Sequence, residues 1–127
     1  MSWQAYIDSS LLGTGKIDKA GIYSRAGDST WANSAGFTLS APELKAISAG
    51  FDNAGSIQAS GLKVMGEKYL TIRAEDRSIY GKKGNKGLIC VRTKQAIIIG
   101  HYPETTQPGE AAKIVEGLGD YLISAQY

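Results

Sequence analysis

Between residues 62 and 102 the chain carries five apolar-rich runs, LKVMG, KYLTIRAE, RSIYGKK, GLICVRT and QAIIIGHY, with almost nothing between them. Each is rich in the β-branched and aromatic residues that suit a pleated strand. They are separated only by Gly, Asp and charged pairs such as GE, ED, GNK and TK. A parallel pair needs a crossover of a dozen or more residues, so strands joined this briefly can only form an antiparallel meander.

The flanking segments complete a layered α+β architecture. AGIYS and STWAN flank RAGD, two further strands around a turn that uses Gly27 and Asp28. Ser2 can cap a helix over about Trp3 to Leu12, with Gly13 and Gly15 as stop signals. From Ser40, Pro42 near a helix start and Leu44, Ile47 and Phe51 at helical spacing predict a short central helix. Pro108 introduces a last helix in which Ala111, Ile114, Val115, Leu118, Tyr121, Leu122 and Ala125 share one broad stripe. The expectation is an α/β sandwich: an antiparallel sheet of six or seven strands, the two terminal helices on one face and the short helix on the other. At 127 residues and 43% hydrophobic, residues 1–127 are expected to form a single domain.

Several classes of function are disfavoured at once. The lone Cys90 lies within GLICV, cannot form an intramolecular disulfide, and is expected to pack as a small hydrophobe. MSWQAYIDSS has no basic segment and is interrupted by Asp8, unlike a secretory leader, and no run approaches a membrane span, so a soluble cytoplasmic protein is expected. His101 is the single histidine, which excludes a His-based zinc site and leaves little for a catalytic triad. GTGK at Gly13 to Lys16 is too short to cradle a nucleotide and reads as a turn. Neither enzyme activity nor a cofactor is expected.

Charge and aromatics are both unevenly placed. Residues 63 to 94 hold nine Lys and Arg against three acidic residues, a net +6 in a chain whose total is +2. Such a stretch suits an acidic partner, an anionic lipid surface or a nucleic acid, or is simply a solvated sheet face. Nucleic acid is disfavoured because Tyr69 and Tyr80 are the only stacking candidates within it. Trp3 and Tyr6 share one face of the first helix beside an adjacent apolar row of Ile7 and Leu11, so that one row can be buried and the other partly exposed, while Tyr121 and Tyr127 mark the other end of the chain. Aromatics at chain ends, which usually fray, are either core or a ligand surface. If the terminal helices lie side by side, these four rings form a strip that Trp31 extends, and exposed aromatic grooves suit polyproline II peptides, whose carbonyls are free to accept hydrogen bonds.

SWQAYID, GIYSRAGDSTWA, GFDNAGSIQASGLKVMGEKYLTIRAEDRSIYGKK and the terminal GDYLISAQY together resemble the profilin family along essentially the whole chain. The resemblance implies a small cytosolic protein that binds monomeric actin one to one, proline-rich tracts of formins and related assembly factors, and phosphoinositides at the membrane surface or cell cortex. It implies polyproline contacts at Trp3, Tyr6, Trp31, Tyr121 and Tyr127. Actin contacts would fall at Lys68, Arg73, Lys82, Asn85, Lys86, Gly87, Gly109 and Lys113, and lipid contacts at Arg73, Arg77, Lys82 and Lys83. Gln107 stands where some animal members carry a histidine, and the loops expected around residues 52 to 60 and 83 to 86 are short beside the animal pattern. A longin- or roadblock-like trafficking or GTPase-regulating scaffold is the alternative, since such domains also carry a GIYSRAGD-like hairpin; they have no need of aromatic termini. A monomer is expected.

Overall fold

The computed structural model describes residues 2–127. Strands β1 (Lys19–Ser24), β2 (Thr30–Asn33), β3 (Leu62–Val64), β4 (Glu67–Ala74), β5 (Ser78–Lys83), β6 (Lys86–Arg92) and β7 (Ala96–Tyr102) form one sheet. Its order is β2-β1-β7-β6-β5-β4-β3, with every neighbouring pair antiparallel. The five runs of the meander are β3 to β7, each paired with the next. Two of their connections are two-residue hairpins, Val64 opposite Glu67 across Met65 and Gly66, and Lys83 opposite Lys86 across Gly84 and Asn85, with Gly66 at φ +79° and Gly84 at φ +63°, positions where such turns favour glycine.

Each sheet face has its own core. On one side Ile22, Ile89, Val91 and Ile98 pack against Ile7, Leu11, Ala111, Val115, Leu118 and Leu122, residues of the two terminal helical segments. On the other, Tyr23, Ile79, Leu88, Cys90, Ile97 and Ile99 pack against Leu44, Ile47, Phe51 and Ile57. Alternation along β7 explains the division, because Ile97 and Ile99 point one way and Ile98 the other, and all are fully buried. The two terminal helices therefore share one face and the central helices occupy the other, an α+β fold as the pattern predicts.

Two segments depart from expectation. The first helix is regular only as α1 (Trp3–Ala5), where Ser2 Oγ accepts the Ala5 N–H at 3.2 Å. It widens over Tyr6–Leu11 into a π-helical turn, with the Leu12 N–H donating to the Ile7 carbonyl, and ends in a 3-10 turn at Leu12–Thr14 before Gly15 at φ +76°. The stretch expected as a loop around residues 52 to 60 is instead the end of helix α2 (Ala41–Asp52) followed by helix α3 (Ala54–Ser60). Asn53 makes this joint: it closes α2 and its side chain accepts the Ser56 N–H at 3.3 Å to start α3. Ile57 is the only buried side chain of α3, so no apolar period marks that helix in the sequence.

Glu43 fastens α2 to the sheet. Ser40 Oγ accepts the Glu43 N–H, the Glu43 carboxylate accepts the Ser40 N–H at 2.9 Å, and the second carboxylate oxygen accepts the Gly66 N–H at 2.8 Å in the β3–β4 turn. Burial pulls its pKa up, but hydrogen bonds from Gly66, Ser40 and Met65 outweigh that pull and hold it below the usual glutamate value. Because the folded-state pKa is depressed, this stabilisation is fully present above the unfolded glutamate value and disappears as pH falls through the folded one. Glu43→Gln is expected to cost about 1–3 kcal/mol at neutral pH. Denaturant melts at a series of pH values should show the gap between parent and variant closing on acidification.

Cys90 lies at the centre of β6, fully buried, and desolvation pushes its thiol up to about 12. Only a thiolate attacks thiol reagents. The native protein should therefore consume essentially no aromatic disulfide reagent, and one equivalent on denaturation.

Candidate functional site

The long terminal helix α4 (Pro108–Ser124) lies across the sheet beside the first helical segment, and the rings of both ends meet there. Trp3 is the hub: its ring centre is 4.9 Å from Trp31, 5.0 Å from Tyr127 and 5.8 Å from Tyr6, which in turn lies 6.1 Å from Tyr121. All five aromatics singled out in the sequence thus form one connected strip. Trp3, Tyr6 and Trp31 are half-buried against the first core, whereas Tyr121 and Tyr127 are 54% and 43% exposed. Trp3, Tyr6 and Trp31 thus serve the core in part, while the strip as a whole keeps ring surface open to solvent. A hydrogen bond with Tyr121, and then partial burial, raise the pKa of the Tyr6 phenol above its ordinary value.

The last residues are held by backbone bonds. The Tyr127 N–H donates to the Leu122 carbonyl at 2.8 Å and the Gln126 N–H to Ile123 at 3.1 Å, a Schellman turn in which Gln126 takes φ +74° where glycine is usual. The Tyr127 carbonyl then accepts the Gln95 N–H at 2.5 Å and the Thr93 hydroxyl at 2.9 Å from the β6–β7 turn. An end that would ordinarily fray is tied to the sheet, and its ring is set against Trp3.

Apart from Lys86, the basic candidates gather around the far end of the same sheet face, past the other flank of α4. A cross-strand row runs Leu70, Lys82, Gly87, Tyr102. The next row on that face pairs Arg73 with Tyr80, the guanidinium lying over the ring at 5.2 Å. Lys68 precedes Leu70 on β4, Asn85 lies in the turn into β6, and Gly109 and Lys113 lie in the first half of α4; Lys86, directly opposite Lys83, faces the other side of the sheet from Lys82 and Gly87, so it is not brought together with them. The flank of α4 is joined to β5 through Glu116, which accepts from Ser78 Oγ at 2.7 Å and from the Tyr80 hydroxyl at 2.5 Å, and through an ion pair of Asp120 with Arg77. Burial and Glu116 push the Tyr80 phenol up to about 12.

Two exposed apolar residues missing from the sequence-derived set lie on β4 among these residues, Leu70 at 70% and Ile72 at 52% exposed. The signal was in KYLTIR, which is apolar on both parities although one face of a strand suffices for a core. A bulge hid it: the register slips between Thr71 and Arg73, so Arg73 falls on the same side as Leu70 despite odd spacing.

The four cations expected to share a lipid surface are not brought together. Lys82 and Arg73 face the same way, but Lys83, the next residue along β5, faces the opposite side, where it pairs with Glu67 at 3.1 Å. Glu67 also accepts from the Tyr69 hydroxyl within the second core. Arg77 is paired with Asp120, and Arg73 itself with Glu75 at 3.2 Å.

No group of three or more His, Cys, Asp or Glu side chains among the described residues is arranged to hold a metal. His101 is buried, its Nδ1 2.6 Å from Asp18 Oδ1. No helix among the described residues is long and apolar enough to cross a membrane.

A family model described as Profilin matches residues 1–127. The chain is 61% identical to profilin of Schizosaccharomyces pombe and 58% identical to profilin of Saccharomyces cerevisiae, each over 127 residues and the full length of both partners. The crystal structure of the S. pombe protein superposes with a TM-score of 0.97, covering 99% of this chain and all of that one. Mouse profilin IIa, solved in complex with a double repeat from the FH1 domain of mDia1, has the same fold at 21% identity, with a TM-score of 0.80 and full coverage of both chains. The whole-chain match displaces the longin- or roadblock-like alternative. With its terminal aromatics assembled and its full length matched, the chain belongs to the profilin family, whose members are actin-binding regulators and not enzymes.

Proposed function

We propose that this protein binds actin monomers one to one on the surface around β4, β5, β6 and the start of α4, while holding proline-rich tracts of formin-type assembly factors on the aromatic strip. It so regulates actin polymerisation. The continuous strip from Trp31 to Tyr121 is the observation that carries this reading, because packing on the core accounts for only part of Trp3, Tyr6 and Trp31 and leaves Tyr121 and Tyr127 exposed beside them. Proline rings pack between Trp and Tyr faces, and the Tyr hydroxyls and Trp N–H groups donate to ligand carbonyls. A ligand already extended loses little further entropy on binding. The mouse relative with its FH1 repeat supports the assignment.

The other surface has the make-up of a protein interface: exposed Leu70 and Ile72 on its β4 side, Lys68, Arg73, Lys82, Asn85, Gly87, Gly109 and Lys113 around them, and Lys86 just beyond it on the other side of the β5–β6 hairpin. Tyr121 and Glu116 leave α4 toward opposite flanks, one beside Tyr6 and the other on Tyr80, so both ligands fit one monomer at once. Phosphoinositide binding, with enrichment at the cell cortex, is a secondary role. Of its four assigned cations it rests on Arg73 and Lys82, two exposed charges that attract an anionic surface only weakly.

Tyr6→Asp is expected to weaken binding of a decaproline peptide at least about tenfold, by adding a carboxylate beside ligand carbonyls and removing a ring. Actin affinity should be unchanged. In the parent, the fluorescence of Trp3 and Trp31 should shift as the peptide is titrated in; a flat titration with no heat of binding would remove the groove. Lys82→Glu should weaken actin binding by about two- to tenfold at low salt and leave polyproline binding intact, with the difference shrinking above physiological ionic strength. Equal actin affinity at low ionic strength would place the interface elsewhere.

A further inference from the structure

The two walls of the strip meet at Tyr6 and Tyr121, whose ring centres are 6.1 Å apart, and Tyr121 is carried by helix α4. Whatever sets that helix about its own axis therefore sets the spacing of the walls. The buried stripe beneath it is a shallow seat: of Ala111, Val115, Leu118, Gly119 and Leu122, two positions offer a methyl group or no side chain at all. Apolar burial is also non-directional, so it resists lifting of the helix more than it resists roll.

Direction comes from the opposite flank. Glu116 and Asp120 are one turn apart and leave α4 on one side. The Glu116 carboxylate accepts from Ser78 Oγ at 2.7 Å and from the Tyr80 hydroxyl at 2.5 Å, and Asp120 pairs with Arg77. Ser78 and Tyr80 belong to β5 and Arg77 immediately precedes it, so all three bonds are anchored in the sheet. Ser78 is 4% exposed, and its hydroxyl has little water to turn to if Glu116 moves. Glu116 and Tyr121 are five residues apart, about 140° around the helix axis, so roll that strains the bonds of one displaces the other. With the ring about 6 Å from the axis, a roll of about 10° carries Tyr121 about 1 Å. None of Arg77, Ser78, Tyr80, Glu116 and Asp120 lines the hollows beside Tyr121.

We propose that Glu116 and Asp120 are positioning residues of the aromatic strip: bound to Ser78, Tyr80 and Arg77, they fix the roll of α4, and with it the separation of Tyr121 from Tyr6, without touching a ligand. The consequence for affinity rests on the strip being the polyproline site. The consequence for ring position does not.

The test separates position from stability. Ser78→Ala, Tyr80→Phe and Glu116→Leu combined replace the whole Glu116 cluster by apolar groups of similar shape and leave no partner unpaired, so this triple variant should melt within a few degrees of the parent. By titration calorimetry it should nonetheless bind decaproline about three- to tenfold more weakly, because a wall no longer held in place must be ordered by the ligand. Tyr80→Phe alone, which removes one hydroxyl, should go part of the way, and it decides the matter if the triple variant melts far below the parent. In ligand-free protein labelled with fluorotryptophan, the fluorine resonance of Trp3, whose ring centre is 5.8 Å from Tyr6 and 5.0 Å from Tyr127, should move in both variants. Decaproline affinity and a Trp3 resonance equal to the parent's in both variants overturn the proposal and leave the strip standing. A parent that does not bind decaproline overturns the strip assignment instead, and the fluorine spectra then decide the positioning role by themselves.

Discussion

Everything about the aromatic strip depends on two helical segments from opposite ends of the chain packing on one sheet face. Ile7 and Leu11 from the first, and Val115, Leu118 and Leu122 from the last, bury into the same layer over Ile89, Val91 and Ile98. Neither segment has to be stable alone. The first is a single regular turn followed by a wide one, too short to persist in water without the apolar surface beneath it. Burial of the inward row fixes where the outward row of Trp3, Tyr6 and Ser10 points. The aromatic groove is a by-product of core packing, and its geometry is as rigid as that core.

How far the chain could be read from its sequence follows from which signals are local. The meander was legible because loop length alone forbids any other pairing, and the shared face of the terminal helices because each carries one apolar stripe. The strip was legible for a related reason: Trp3 and Tyr127 sit where side chains are normally expendable. Cross-strand facts were not legible. Lys82 and Lys83 are adjacent letters on opposite faces, and the slip near Ile72 reverses the parity on which any sequence argument about Arg73 depends. Helix α3 escaped notice because one buried residue, Ile57, makes no period. The resemblance to a known family supplied the residues of the basic surface, but not the exposed Leu70 and Ile72 that lie among them.

Helix α4 carries two kinds of chemistry on its flanks. Toward the first helix it presents Ile114, Leu118 and Tyr121; toward β5 it presents Glu116 and Asp120, which engage Ser78, Tyr80 and Arg77. The polar flank uses charge-assisted hydrogen bonds of defined direction, which fix the helix about its own axis in a way that an apolar stripe does not. Rotation of α4 by even part of a turn would break the Glu116 bonds and move Tyr121 away from Tyr6. The acidic flank thereby sets the width of the aromatic groove on the opposite side.

The bulge in β4 also bears on how this sheet meets other molecules. Strand β3 pairs with β4 only as far as Tyr69, so the stretch from Leu70 to Ala74 is an outer edge of the sheet with two exposed aliphatic side chains. A flat edge of that composition would be an open template for another strand and an invitation to stack copies of the chain without limit. The extra residue kinks and twists the edge, and α3 lies against it, with the Thr71 hydroxyl donating to the Ile57 carbonyl at 2.9 Å. What is left is a sticky surface with no usable ladder of backbone groups. Such an edge accepts a folded partner laid against its side chains and refuses the endless strand addition by which sheets aggregate.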